Sequence, residues 1–557
     1  MFLVPLHSES GRMTKKTSSP RSSKEQLIQQ LQAGRISRRG FLTLLGLTAT
    51  TVGSQTLFSC SEPTSEYDYI IVGAGSAGCT LAARLLTSSK ARILLIEAGG
   101  SNDREEVRDF TQAWKLTQPG SEADWGYKSV PQRELMDRPQ SYSCGKMVGG
   151  TSSINGMVWV HGNKGDFDGW AAAGCPGWDF EGVQPSFQRV RAALQPTSAL
   201  TARSALSQAM VQAFANLGHP VNPDYNGEQQ LGVGYTQLNV TEDGRRLDAF
   251  SSLLAPSADN PRLSILMGAH VKRIALRGNK ADGVVLDQDG VEQTLKASRE
   301  VIVCAGTIQT PQLLMLSGIG DPAELSPHGI PVVAAVPGVG KNLHDHLVSV
   351  AVRKLRQPEP ASHITTMDVS VFFGAGPRPG MPKFQVQAYY MRYGWASYPS
   401  EAVALGLINL HPTSRGSVKL RSADFKDAPL IDPNFLGTPE DMANQLEGYK
   451  AIRQLLGAPG LRDWLEDVEH TPGPDVSTDA QLQEASRKFS ESDFHSVGTC
   501  RMGSDDLAVV DPLLRVKGVQ GLRLASAAIM PTVPSGNTNA ASMMVGDRAG
   551  RLLLEID

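Results

Sequence analysis

Tyr67-Asp68-Tyr69-Ile70-Ile71-Val72 runs straight into Gly73-Ala74-Gly75-Ser76-Ala77-Gly78. The first six residues are a short β-rich run and the next six a G-x-G-x-x-G turn. Cys79 to Thr87 then reads as a helix with Leu81, Leu85 and Leu86 on one side. Arg92-Ile93-Leu94-Leu95-Ile96 reads as a second buried strand, ending in Glu97. Strand, tight turn, helix, strand and acid is the order of a dinucleotide-binding βαβ unit. Gly73 permits the turn, and Gly78 lets the helix sit close on the strand. Gly75 lets the backbone approach a pyrophosphate, where a Cβ would intrude. Ser76 and Ala77 open the helix, whose free N–H groups meet the phosphates. Glu97, nineteen residues after Gly78, is placed to accept hydrogen bonds from ribose hydroxyls. An acid there also repels a 2′-phosphate, which disfavours NADP. The fingerprint alone does not separate FAD from NAD.

Further along, Cys144-Gly145-Lys146-Met147-Val148-Gly149-Gly150-Thr151-Ser152-Ser153-Ile154-Asn155-Gly156-Met157 concentrates small residues. Such a loop can pass within contact of a flat cofactor and turn its N–H groups towards electron-rich ring atoms. An apolar strand, Val301 to Ala305, leads into Gly306-Thr307-Ile308-Gln309-Thr310-Pro311-Gln312-Leu313-Leu314-Met315-Leu316-Ser317-Gly318-Ile319-Gly320. Its Leu and Met spacing suits a helix packed on the nucleotide fold.

These two stretches resemble the signature patterns of the glucose–methanol–choline oxidoreductases. So do Pro337-Gly338-Val339-Gly340-Lys341-Asn342-Leu343-His344-Asp345-His346, Ser414-Arg415-Gly416 and Pro534-Ser535-Gly536-Asn537-Thr538-Asn539. The resemblance runs from Tyr67 to near the C-terminus. It implies FAD, not NAD, bound in an extended, buried form. It places Gly145, Val148, Gly149, Thr151, Asn155, Gly156 and Met157 of the first stretch, and Val158 just after it, against the cofactor, with Gly306 of the second and Ala305 just before it. Val271 is implied beside the adenine through its backbone. Ser526, Ala527, Asn537, Thr538 and Asn539 complete the set. Some relatives attach the flavin through a histidine where this chain has Ile154, so a non-covalent flavin is expected. Ser526 stands where relatives usually carry an acid, which puts one polar contact near the flavin in doubt.

The same resemblance singles out His495, in Phe494-His495-Ser496-Val497-Gly498-Thr499-Cys500-Arg501-Met502-Gly503, and a His or Asn about forty-four positions later. That count lands on Asn539, with Asn537 as the neighbouring alternative. Alcohol oxidation needs such a pair: hydride leaves carbon for the flavin while the hydroxyl proton goes to a base. His495 can accept that proton and Asn539 can donate to the same oxygen. His344-Asp345-His346 tempts a metal reading, but no third ligand has a recognisable spacing, and no metal is expected. There is no G-x-S-x-G elbow to support a Ser–His–Asp hydrolase.

The 557 residues suffice for two domains sharing an interface. A net charge of −3, without a basic stripe, excludes a nucleic-acid binder. The six cysteines form no C-x-x-C pair, which disfavours zinc or a redox dithiol. The expected fold is α/β plus α+β. A Rossmann-like FAD-binding domain is assembled from 66–161, 228–347 and 495–557. A substrate domain on a mainly antiparallel sheet comprises 162–227 and 348–494. Alternation in Lys383 to Tyr389 and in Ser417 to Leu420 supplies strands for that sheet. Tyr389, Tyr390, Tyr393 and Trp395 form either a cage for a quaternary ammonium or, by preference, ordinary sheet packing.

Residues 1–65 read as an address. Ser37-Arg38-Arg39-Gly40-Phe41-Leu42 resembles a twin-arginine export signal, and a weakly apolar stretch follows to Phe58. Leu57-Phe58-Ser59-Cys60 resembles a lipoprotein cleavage box in which Phe58 fits poorly. Cys60 is therefore either lipidated, giving a membrane tether, or beside an ordinary cleavage point. The expected product is a periplasmic enzyme that oxidises a small alcohol (choline, a sugar, an aromatic or an aliphatic alcohol) and passes electrons to oxygen, a quinone or a cytochrome. The alternative is a lyase of the same fold, like some hydroxynitrile lyases, using His495 for acid–base chemistry.

Overall fold

The computed structural model describes residues 67–197, 204–358, 367–391 and 398–555. The export and lipidation readings on 1–65, and Tyr393 and Trp395, lie outside these. The first sheet begins as the sequence dictates. β1 (Tyr67–Val72) leads to helix α1 (Ser76–Ser88) and then β2 (Ile93–Ile96). Four consecutive buried residues at the end of β1 and all four of β2 mark strands covered on both faces. Helices α2 (Lys164–Ala172), α3 (Phe180–Leu194) and α4 (Ala205–Asn216) follow, and then β3 (Gly232–Tyr235). The chain returns to the first sheet with β4 (Leu263–Leu266). A meander of β5 (Ala269–Arg277), β6 (Lys280–Gln288) and β7 (Val291–Val303) comes next, and then α5 (Gly306–Leu316).

A second sheet is built from β8 (Leu347–Leu355), β9 (Met367–Ala375), β10 (Pro382–Met391) and β11 (Ala402–Asn409). Helix α6 (Pro439–Leu456), β12 (Leu465–Thr471) and β13 (Glu491–Ser492) follow. The chain closes with β14 (Leu522–Leu524) in the first sheet and α7 (Asn539–Leu554). The first sheet has the order β4-β2-β1-β7-β6-β5, with β14 also on β7. β4, β2, β1, β7 and β14 pair in parallel, and the meander pairs antiparallel. The second sheet, β12-β8-β11-β10-β9-β3 with β13 on β8, is antiparallel throughout. A Rossmann-like nucleotide fold and an antiparallel substrate-side sheet are thus both present.

The expected segment boundaries need three corrections. Strand β3 falls within 228–347, yet it pairs with β9 in the second sheet. Segment 162–227 is divided. Phe167, Trp170, Val183, Phe187 and Val190 of α2 and α3 join the apolar core of the nucleotide sheet. Leu206, Met210 and Phe214 of α4 join that of the second sheet instead. Finally, Gly416–Lys419 pairs with Lys341–Leu343 and Leu430–Asp432 in a separate small sheet. In each case the burial of an apolar face against a distant segment outweighs chain proximity. Among the described residues the five cysteines are free, and no helix is long and apolar enough to cross a membrane.

Candidate active site and cofactor cradle

A cavity of about 1360 Å³ lies between the nucleotide fold and the second sheet. That exceeds a common small-ligand pocket of about 300–1,000 Å³ and suits an extended cofactor with a substrate beside it. At one end, Gly73 adopts φ +101°, and a Cβ there would sit 2.6 Å from the Cys304 carbonyl oxygen. A Cβ on Gly75 would meet only the Gly150 Cα, at 3.8 Å, so this backbone faces open space. No side chain caps α1, whose first amides therefore remain available. Glu97 accepts Ala74 N–H at 3.0 Å and Gly99 N–H at 2.9 Å. Burial pushes its carboxyl up to about 7, against the pull of those backbone donors.

Asn539, the first residue of α7, accepts the Ser76 hydroxyl proton at 2.8 Å through Oδ1. Its Nδ2 is buried without a protein partner. An uncapped helix start, a Cβ-free approach at Gly75 and an orphaned amide donor together fit a pyrophosphate. Gly145, Thr151, Asn155, Gly156, Met157 and Val158 line this same cavity, as do Val271, Ala305 and Gly306. Ser526, Ala527, Asn537 and Thr538 line it as well.

Three expected contacts do not line it. Gly78 is turned to the strand, where a Cβ would run into the Gly73 carbonyl. Val148 is buried in the apolar core. Gly149 sits at φ +83° and donates its N–H to the Ala74 carbonyl at 2.7 Å. These residues shape the cradle from behind it.

The reacting pair also differs from the count. His495 Nε2 meets Nδ2 of Asn537 at 3.0 Å, whereas Asn539 is engaged with Ser76. The separation in this chain is two residues shorter than forty-four, so Asn537 replaces Asn539 as the partner of His495. Asn537 Oδ1 accepts from Gln387 Nε2 at 3.0 Å and Gln385 Nε2 at 3.3 Å. These glutamines alternate on β10 with Phe384, Val386 and Ala388, which enter the core beneath the sheet.

The loop carrying His495 is pinned by backbone bonds: Asp345 Oδ1 accepts His495 N–H at 2.7 Å, and the His346 carbonyl accepts Asp493 N–H at 2.9 Å. Phe494, between them, takes a left-handed φ of 60°. His344, Asp345 and His346 diverge. His344 is held by Asn342 O and Val533 N–H, Asp345 by Ser492 and the His495 backbone, and His346 by His495 and Leu410.

Burial drives the His495 imidazole well below its usual value, with His346 adding to the shift. Burial and Asp345 push Asp493 well above the carboxylate range. Asp493 Oδ2 lies 3.1 Å from His495 Nδ1, but off the line of a hydrogen bond. The sequence does not single out Asp493, Gln385 or Gln387, and it offers His346 only within the His344-Asp345-His346 run. The glutamines carried a signal, since polar residues on one face of an otherwise apolar strand need partners if buried. Tyr389 and Tyr390 line the cavity, their hydroxyls given to Gln387 and Glu401.

A family model described as GMC oxidoreductase matches residues 67–348, and a second of the same description matches 412–546. The chain is 34% identical over 530 residues to an alcohol dehydrogenase (acceptor) of Pseudomonas putida, covering 88% of this chain and 96% of that one. It is 33% identical over 552 residues to the mitochondrial choline dehydrogenase of Homo sapiens, covering 90% and 92%. The solved structure of pyridoxine 4-oxidase from Mesorbium loti matches with a TM-score of 0.82 at 29% identity, over 87% of this chain and 99% of that one.

Proposed function

The chain belongs to the glucose–methanol–choline (GMC) oxidoreductase family, and from that premise we propose that His495 is the base in oxidation of an alcohol to a carbonyl compound. The enzyme is an FAD-dependent alcohol dehydrogenase or oxidase acting on CH–OH donors. FAD, when bound, supplies the sink for the hydride of the carbinol carbon. The observation that carries the proposal is the 3.0 Å meeting of His495 Nε2 and Asn537 Nδ2 beside the cofactor cavity. An alcohol oxygen entering between them donates its proton to Nε2 and accepts from the carboxamide. Burial keeps His495 neutral, so a lone pair is available to take that proton. Gln385 and Gln387 hold the carboxamide in place.

The nucleotide sheet is assigned to cofactor binding and the antiparallel sheet to substrate. Gly73, Gly75, Ser76, Ala77 and Asn539 hold the phosphates, and Glu97 the ribose. Ile154, which lines the cavity, offers no nucleophile, so the flavin is held non-covalently. The substrate is a small alcohol of the kind named for the relatives, and the acceptor is oxygen, a quinone or a cytochrome. The Arg38-Arg39 segment directs the folded protein out of the cytoplasm, and Cys60 tethers it if lipidated.

The test is anaerobic mixing of the holoenzyme with a panel of alcohols. Bleaching of the flavin band is expected, and the alcohol that bleaches it fastest names the substrate. Cleavage to a carbonyl compound under a persistent yellow colour would instead establish the lyase. His495→Ala should retain flavin and reduce it at least about 10²-fold more slowly. An unchanged rate would remove His495 from the role of base.

A further inference from the structure

A directed chain of hydrogen bonds passes through His495, and its direction is set by one backbone carbonyl. The Leu410 oxygen can only accept. His346 Nε2 lies 3.2 Å from it, so that nitrogen carries the hydrogen. A neutral imidazole has a single N–H, and burial pushes His346 down to about 3, so the ring is neutral. Its Nδ1 is therefore a bare acceptor. His495 Nδ1 stands 3.1 Å away, with the two rings at 87°. Two bare lone pairs would repel, so the hydrogen between them belongs to His495.

The second nitrogen of His495, Nε2, is then the bare one, and Asn537 must offer it Nδ2 and not Oδ1. Asn537 Oδ1 is left to face the Gln387 and Gln385 amides. The second sheet anchors both ends: Leu410 directly follows β11, and the glutamines are on β10.

We propose that His346 is a positioning residue that fixes the Nδ1–H tautomer of His495, leaving Nε2 as the atom that takes the alcohol proton. This rests on the reading of His495 as the base and names what makes one of its two nitrogens basic. In the step, the substrate O–H bond breaks, its proton joins Nε2 and the electron pair stays on oxygen. The hydrogen on Nδ1 stays in place, shared with His346 and close to Asp493. In the other tautomer Nε2 would already bear a hydrogen and could accept nothing. The titratable groups facing this pair are Asp493 and Asp345 on the His495 side and His344 and His411 on the His346 side.

The test compares His346→Leu with His346→Gln as purified holoenzymes. Leucine fills the site and accepts nothing. Glutamine can donate to Leu410 and accept from His495 Nδ1–H, so it preserves the direction of the chain. With flavin content unchanged, His346→Leu should slow anaerobic flavin reduction about 10–100-fold, the loss typical of an outer positioning partner. His346→Gln should recover most of the rate with the wild-type pH profile. ¹⁵N spectra of histidine-labelled wild-type holoenzyme should show the bare nitrogen of His495, identified by its loss in His495→Ala, at Nε2.

A bare Nδ1 in that spectrum overturns the proposal whatever the variants do. A wild-type rate in His346→Leu overturns it too. So does a His346→Gln enzyme as slow as His346→Leu, which would mean that position 346 must itself carry the proton. Slow reduction by His495→Ala beside a wild-type rate in His346→Leu would sink this inference alone. An unimpaired His495→Ala would sink the underlying reading of the base.

Discussion

Asn537 and Asn539 are the same residue type two positions apart, and the fold gives them different work. Asn537 lies in the irregular turn just before α7 and faces its amide to His495, while Asn539 opens α7 and accepts from Ser76. Asn537→Ala should keep its flavin and lose on the order of 10²-fold in flavin reduction, as for removal of one oxyanion donor. Asn539→Ala should emerge with less bound flavin, and its loaded fraction should react at nearly the wild-type rate. Absorbance ratios and stopped-flow traces separate the two outcomes.

Glu97 makes a pH prediction. Its carboxyl is pushed up to about 7 by burial, and ribose hydroxyls, in the role proposed for it, would donate to the ionised form. Cofactor binding should therefore release a proton below pH 7. Affinity of the apoprotein for FAD should rise with pH to about 7 and then level off. Fluorescence titrations at pH 6 and pH 8 would show the slope, and Glu97→Gln should remove it.

Helix α1 owes its position to what it lacks. Gly78 touches the Gly73 carbonyl on the strand side, and Gly546 of α7 lies against the Ala77 carbonyl on the other. The helix is thus pressed between the turn and the C-terminal helix with no room for a methyl group on either side. Gly78→Ala should lower stability by about 1–3 kcal/mol through overpacking, read as a lower Tm and poor flavin retention. Gly100→Ala is a control for the added methyl: its Cβ would enter open space, at a backbone conformation outside the left-handed region. Strand β10 works by alternation, with Phe384, Val386 and Ala388 entering the apolar core of the second sheet and Gln385 and Gln387 meeting Asn537. A one-residue slip would exchange those faces and dismantle the site along with the core.

The molecule joins a nucleotide sheet and an antiparallel sheet over one cavity, and the chain crosses between them several times. His495, Asn537, His346 and Gln387 come from well-separated stretches, so the reacting geometry exists only once both sheets are assembled. Nothing at Ile154 offers a covalent bond to a flavin. Acid precipitation of the holoenzyme should therefore leave a colourless pellet and a yellow supernatant. A yellow pellet would show a covalent attachment elsewhere in the cradle.

The stretch from Tyr67 to Glu97 and the glycine-rich runs were legible because their constraints are local. A backbone that must turn, or approach a ligand closely, admits only glycine at certain positions, and a doubly covered strand must be apolar throughout. His495 was legible through its neighbours in the chain. The choice between Asn537 and Asn539 was not, because the spacing between two loops absorbs insertions and deletions freely while the contact depends on where each loop ends in space. The placement of β3 and of 162–194 escaped for a related reason, since burial against distant segments decides it. Least legible was the orientation of His495. It depends on the oxygen of Leu410, a backbone group that every residue possesses, and only folding brings that oxygen within reach of His346.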